Sequence, residues 1–340
     1  MSAPCGSEMF WMGGRLATKA TEISHDPLAL ESDGFWAVQV SYEGAWTLTK
    51  FENVVDEQFP QTSWEGITGE WSSTLNEAGY RNLVSKAREL IAAGNFYQVN
   101  ACRVLSAPCN VNLDGLFSKA LENNPAPFAA FLRTSDLEIA SASPELFLSL
   151  HSDDSGVHVK SSPIKGTSAN GEFGEKDKSE NVMIVDLIRN DMSQICKEGS
   201  IEVSRLLGME KHPGLFHLVS DVVGKLSNDF SWGKFSEAML PAGSISGAPK
   251  SSAVKFIADN EGERGPYCGL LGWVEKRGNN ISGLLSVAIR TFWRENDTIY
   301  FGTGAGITWG SDPTSEWEET ELKANRLIAI AQGEIGRSGE

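Results

Sequence analysis

Basic residues are scarce in this 340-residue chain. Lys and Arg number 29 against 45 Asp and Glu, a formal net charge of −16. A field of that sign repels a phosphate backbone and an anionic leaflet, so neither nucleic acid nor membrane is an expected partner. It leaves room for a small anionic substrate, because the field inside a cleft is set by the groups nearest to it. Cysteine is sparse as well. Cys5, Cys102, Cys109, Cys196 and Cys268 are odd in number and nowhere spaced as Cys-x-x-Cys, which excludes a disulfide framework or zinc knuckle as the expectation. Cys102 and Cys109 read as free buried thiols rather than a pair. No stretch approaches the ~20 apolar residues of a spanning helix. The opening MSAPCGSEMFWMGGRL lacks a basic end followed by an apolar run, so no secretory signal is read and a cytoplasmic protein is expected.

Hydrophobic residues make up 41% of the chain and charged residues 22%, which suits a globular core and rules out disorder. Repeats, low-complexity tracts and Pro/Ser-rich linkers are lacking, so residues 1–340 read as one unit. A short strand-rich part, 1–72, leads into a core over 73–332. The runs GFWAVQVSY and AWTLTKF read as strands split at Glu43-Gly44. Tyr80, Leu83, Val84, Ala87, Leu90 and Ile91 recur at helical spacing, with Gly94 at C′. FYQVNACRVL reads as a strand and Leu113 to Asn123 as a short helix. LEIASASPELFLSL and GVHVKSSPIKG read as a strand pair turning at His151 to Ser155. A helix from about Glu175 carries Met183, Ile184, Leu187 and Ile188 on one side, and another starts at Ala248-Pro249. SGLLSVAIRTFW and DTIYFGTG are β-rich, and the last helix opens with Asp312 as N-cap and Pro313 at N1. Hairpins between neighbouring strands, mixed with helices, predict an α+β layout with antiparallel sheets.

Several groups of residues carry chemistry on two readings each. Glu316 and Glu319 share a helix face with Lys323, and Asp177 and Glu180 stack likewise one turn before their apolar stripe. Two carboxylate pairs near helix starts suit Mg²⁺, a hard cation that prefers oxygen ligands. On spacing alone a solvated acidic face with a Glu319–Lys323 pair is the default. FGTGAGI places three glycines at alternate positions after a strand, either as an anion cradle or as a glycine-rich turn. GSISGAPK fails the P-loop pattern but gives a glycine-rich entry to a helix N-terminus suited to a small carboxylate. Lys165 in SSPIKGT is a solvated loop lysine or, if desolvated in a cleft, a nucleophile. Glu145, on the neighbouring predicted strand, is a general acid if partly buried. His217 is a core histidine or a catalyst, and Arg290 a rim salt bridge or a carboxylate clamp.

Taken together and in order, FYQVN, SASPELF, PIKGT, SENVMIVDLIRND, HLVSDV, GSISGAPK, YCGLLGW, VAIRTF, GTGAGI and EWEETELKANRLI resemble the chorismate-utilising enzymes, from about Gly94 to Ile330. The resemblance implies antiparallel sheets packed face to face, helices outside and a deep cleft. Within that family, lysine in PIKGT resembles the aminodeoxychorismate synthases, whereas anthranilate synthases usually carry alanine there. The resemblance then implies that Lys165 attacks ring carbon 2 of chorismate while Glu145 protonates the departing 4-hydroxyl. Ammonia then adds at carbon 4 to give 4-amino-4-deoxychorismate, the precursor of p-aminobenzoate and folate. Gln98 stands where isochorismate and salicylate synthases place a water-activating lysine, which favours an amine donor. The resemblance also implies Mg²⁺ on Glu180 and Glu319, with Asp177 and Glu316 acting through water or from behind. Tyr267, Arg290, Gly304, Gly306 and Lys323 match contacts to substrate carboxylates, and Ser244 and His217 line the ring. Ser162 replaces the arginine of many relatives, and LALES (Leu28 to Ser32) is only a faint match to a tryptophan-binding segment. No amidotransferase pattern is present, so a separate glutamine amidotransferase subunit is the expected ammonia source. The alternative member is an anthranilate synthase large subunit.

Overall fold

The computed structural model describes residues 8–168, 170–212 and 215–335. Cys5 and the rest of residues 1–7 lie outside the described residues. The strands are β1 (Met9–Met12), β2 (Arg15–Ser24), β3 (Gly34–Val40), β4 (Trp46–Asp56), β5 (Ser72–Ser73), β6 (Gln98–Pro108), β7 (Phe128–Arg133), β8 (Leu137–Ser143) and β9 (Leu146–Asp153). They continue as β10 (Gly156–Ser162), β11 (Ile164–Ser168), β12 (Glu202–His212), β13 (Leu215–Lys225), β14 (Gly247–Ala248), β15 (Leu270–Arg277), β16 (Asn280–Val287), β17 (Thr291–Glu295) and β18 (Thr298–Ile307). The helices are α1 (Glu77–Ala92), α2 (Asp114–Asn123), α3 (Glu175–Ser193), α4 (Trp232–Met239), α5 (Gly243–Ser246), α6 (Lys250–Asn260) and α7 (Pro313–Ala331).

Every ladder is antiparallel, and the strands join into one ribbon. Its order is β12-β13-β10-β9-β16-β15-β3-β4-β2-β1-β7-β8-β17-β18-β6, with β11 on β13 and β5 and β14 on β6. The early strands are tied into the later ones, since Val40 of β3 faces Leu270 of β15. Two-residue periodicity sorts the core. On β7, Ala130 and Leu132 point into the larger apolar cluster, shared with Phe35, Val38, Leu148, Leu271 and Leu285 of the other half of the ribbon. Ala129 and Phe131 point the opposite way, onto Leu116 and Phe117 of α2 and Leu327 and Ile330 of α7. The halves of the ribbon thus share one core while helices cover an outer face, the antiparallel α+β arrangement expected.

Local signals explain the helix ends. Asp312 Oδ1 accepts from the backbone N–H groups of Thr314 and Ser315 at 3.1 and 2.9 Å, capping α7 with Pro313 at its first position. Asn76 caps α1, and Gly94 follows it with φ +79°.

Three segments differ from the pattern reading. The run Leu137 to Leu150 is two strands, interrupted at Pro144-Glu145, and the turn falls at Asp153 to Gly156 because Asp153 Oδ1 accepts from Ser155 N–H. FGTGAGI lies inside β18, with Gly302, Gly304 and Gly306 opposite Val104, Cys102 and Asn100. Those glycines give clearance rather than a turn: a Cβ at Gly302 would overlap the Tyr267 ring, and one at Gly304 would lie 2.5 Å from Ala101 O. Helix α6 begins at Lys250, with Pro249 as its N-cap. Cys102 and Cys109 are buried and free, as read, and so are Cys196 and Cys268.

Candidate active site

The pairing of β11 with β13 slips by one residue. Ile164 faces Val219 and Thr167 faces His217, so three steps on one strand match two on the other. Such a bulge re-aims a side chain, and Lys165 and Gly166 occupy it. Gly166 has φ +87°, and a Cβ there would sit 3.0 Å from Asp177 Cβ, so glycine lets the first turn of α3 close on the bulge. Lys165 Nζ, partly buried, donates to Ser244 O of α5 at 2.9 Å. Glu145, only 4% exposed at the break between β8 and β9, hydrogen-bonds the Ser244 side chain.

Burial dominates both titrations. It pushes the Lys165 ammonium below its ordinary value, with Glu145, Glu180 and Glu319 opposing and Lys323 adding to the fall. It also raises Glu145, against the hydrogen bond from Ser244 and the charge of Lys165. A lysine drawn toward its neutral amine therefore stands near a carboxyl drawn toward its protonated form.

The acidic residues of α3 and α7 face this pair. Glu180 is raised by burial, with Lys165 and Lys176 opposing. Glu316 is 4% exposed and is also raised by burial, opposed by a hydrogen bond from Ser311. Glu180 Oε1 and Glu316 Oε2 are buried without a hydrogen bond. Glu319 is exposed and bonded at 2.6 Å to Lys323, the intrahelical pair expected from spacing. Partial desolvation acts to raise Glu319, but Lys323, together with Lys176 and Lys165, more than offsets this and its pKa falls. Lys323 Nζ also donates to Gly304 O at 3.0 Å. Asp177 is engaged otherwise: Oδ2 accepts from Gly174 N–H at 3.0 Å, which makes it the capping residue of α3.

Gln98 lies between β18 and the acidic helices. Its Nε2 is 3.5 Å from Glu180 Oε2, and a Cβ at Gly306 would lie 2.6 Å from that nitrogen, so this glycine keeps space for Gln98. His217 is buried in β13 beside the bulge. Arg290 has φ +53° and is partly buried, and among the described residues no carboxylate pairs with it; burial alone lowers its pKa. Among the described residues the rim salt bridge does not form. Tyr267 is buried, with its hydroxyl 3.9 Å from Cys102 Sγ and beside Cys268 and Arg264. Ser162 donates to Asp221 at 2.6 Å.

Two features escaped the sequence reading. Lys250 of GSISGAPK is held by Asp191 at 2.7 Å and Ala238 O at 3.1 Å, so its charge is already matched within the protein. Lys176 reaches both Glu180 and Glu316, at 3.8 and 3.7 Å. Its spacing of four from Glu180 was legible, but its contact with α7 was not.

Among the described residues no three Asp, Glu, His or Cys side chains converge to enclose a metal. The donors nevertheless fit Mg²⁺ in its usual mode, one or two carboxylates with water and substrate completing the shell. Two carboxylates from different helices, each with a buried oxygen that accepts no hydrogen bond, already face one cationic group.

Known proteins resemble this chain in sequence and in fold. The family model described as chorismate binding enzyme matches residues 28–329. Anthranilate synthase component 1 of Aquifex aeolicus is 33% identical over 294 residues, 82% of this chain and 57% of that protein. Aminodeoxychorismate synthase of Streptomyces pristinaespiralis is 36% identical over 76% of this chain and 37% of its own length. Aminodeoxychorismate synthase component 1 of Escherichia coli is 32% identical over 80% of this chain and 62% of its own. The chain therefore spans only part of the length of these relatives. The solved anthranilate synthase component I of Streptococcus pneumoniae superimposes with a TM-score of 0.77 at 23% identity, covering 96% of this chain and 93% of that one. An isochorismate synthase structure from Bacillus anthracis gives 0.79 at 20% identity, over 96% of each chain. Among the described residues no helix is long and apolar enough to cross a membrane.

Proposed function

The chain belongs to the chorismate binding enzyme family, and from that premise we propose that it is the aminating subunit of a 4-amino-4-deoxychorismate synthase. The observation that carries the proposal is Lys165, held by Ser244 O within a desolvated site that also contains Glu145. Relatives named for anthranilate and for aminodeoxychorismate synthesis match at similar identity, so the choice rests on this amine.

In the proposed reaction the neutral Lys165 amine bonds to carbon 2 of chorismate. The ring double bonds shift and the 4-hydroxyl leaves as water, protonated by Glu145. Ammonia then adds at carbon 4, the double bonds shift back and the bond to Lys165 breaks. The nitrogen returns its extra proton to Glu145, so chorismate and ammonia give 4-amino-4-deoxychorismate and water. Dividing one hard displacement into two is what a covalent nucleophile contributes. Arg290 and Lys323 would hold the substrate carboxylates, and Ser244 and His217 would line the ring. Gln98, an amide, offers no base to activate water, which supports an amine as the nucleophile. Mg²⁺ would be held by Glu180, Glu316 and Glu319, with Asp177 behind them. When bound, it neutralises a carboxylate of the substrate. A glutamine amidotransferase partner is the proposed ammonia source, in keeping with relatives named "component 1".

Product analysis with chorismate, Mg²⁺ and ammonium tests the reading. Formation of 4-amino-4-deoxychorismate is expected, and fluorescent anthranilate would assign the chain to the other synthase.

A further inference from the structure

Lys176 projects from the first turn of α3 into the gap between the acidic helices. Its side chain is 54% exposed, whereas the two it approaches, Glu180 and Glu316, are 16% and 5% exposed. The ammonium stands 3.8 Å from Glu180 Oε1 and 3.7 Å from Glu316 Oε1, within ion-pair reach of both but too far for a hydrogen bond. Each carboxylate also keeps a buried oxygen without a hydrogen-bond donor, Glu180 Oε1 and Glu316 Oε2. Buried carboxylate oxygens without donors carry a desolvation cost that a nearby positive charge relieves. The charge that supplies it here is on a flexible tether and is not locked in place. Asp177, in the same turn, is committed to capping Gly174 N–H and does not compete for the lysine.

We infer that Lys176 is a resident counter-ion, occupying the cation position between α3 and α7 until a divalent cation displaces it. This rests on the proposed divalent role of Glu180 and Glu316. The ammonium and the metal are like charges seeking the same oxygens, so the site binds metal only in the fraction of molecules whose lysine has swung out. Apparent affinity falls by that fraction. Lys176 thereby acts as a positioning residue that keeps the acidic pair neutralised and apart from weakly held cations before substrate arrives. Once released, its half-exposed side chain can extend into solvent without strain.

Mn²⁺ titration of the full chain without chorismate, followed by the electron paramagnetic resonance signal of free Mn²⁺, tests the inference. Lys176→Gln is expected to bind about tenfold more tightly than the unaltered protein, since two partly exposed ion pairs of ordinary strength sum to about that factor. Lys176→Arg, which keeps the charge, is expected to stay within about twofold of the unaltered protein. Without metal, Lys176→Gln is expected to melt at a lower temperature, and Mn²⁺ is expected to restore it. Equal or weaker binding by Lys176→Gln overturns the displacement role while leaving the metal site standing. Failure of the unaltered protein and both variants to bind Mn²⁺ overturns the divalent reading, and the displacement role with it.

Discussion

Replacing Arg290 by Met should make the protein more stable and a poorer binder of substrate. The guanidinium is partly stripped of water and, among the described residues, pairs with no carboxylate. Partial desolvation of a charged group without a partner costs about 1–2 kcal/mol, which Met at the same position avoids. Met keeps the apolar stem and has the same left-handed backbone penalty as Arg at φ +53°, so those contributions cancel. For a chain of this size the gain corresponds to a rise of about 1–3 °C in the melting temperature, read by scanning calorimetry without ligand. Loss of charge-assisted hydrogen bonds to a substrate carboxylate should raise KM for chorismate about 10- to 150-fold. A lower melting temperature would mean that the guanidinium has a structural partner, and an unchanged KM would mean that no carboxylate reaches it. Either result refutes the reading of Arg290 as a clamp.

Burial favours the neutral amine, so Lys165 should titrate below the ~10.4 of a free lysine. The ¹³C-dimethyl-lysine resonance lost in Lys165→Arg reports it. Glu145 favours the ammonium, so Glu145→Gln should move that midpoint lower still; a move upward would contradict the assignment. Gly302→Ala should destabilise the fold by about 1–3 kcal/mol, because the added methyl meets the buried Tyr267 ring, and denaturant unfolding measures the loss. Glu316→Gln should raise several-fold the Mg²⁺ concentration needed for half-maximal amination, and identical metal titrations would remove Glu316 from the site.

Much of this architecture is local and therefore readable from residue order. The Asp312-Pro313 start of α7, the Gly94 stop of α1 and the Glu319–Lys323 pair need only neighbours a turn or two away. What sequence patterns miss depends on distant register. FGTGAGI looks like a turn until β6 is laid beside it, and the use of its glycines depends on Gln98 and Tyr267 from elsewhere in the chain. The slip that lifts Lys165 out of the β11–β13 ladder is a property of two strands. Asp177 resembles Glu180 in type and spacing, yet one caps a helix while the other faces Gln98. Lys176 looks like an ordinary surface lysine because its second carboxylate lies 140 residues away on α7.

The claim on which the reaction depends is that the Lys165 amine bonds to the substrate. Mass spectrometry of peptides from protein quenched during turnover of chorismate with Mg²⁺ and no ammonia examines it directly. An adduct on Lys165 with the mass of chorismate less one water, lost on adding ammonium, is the predicted result. Continued formation of aminated product by Lys165→Ala at the unaltered rate, with no adduct in the parent protein, would contradict it.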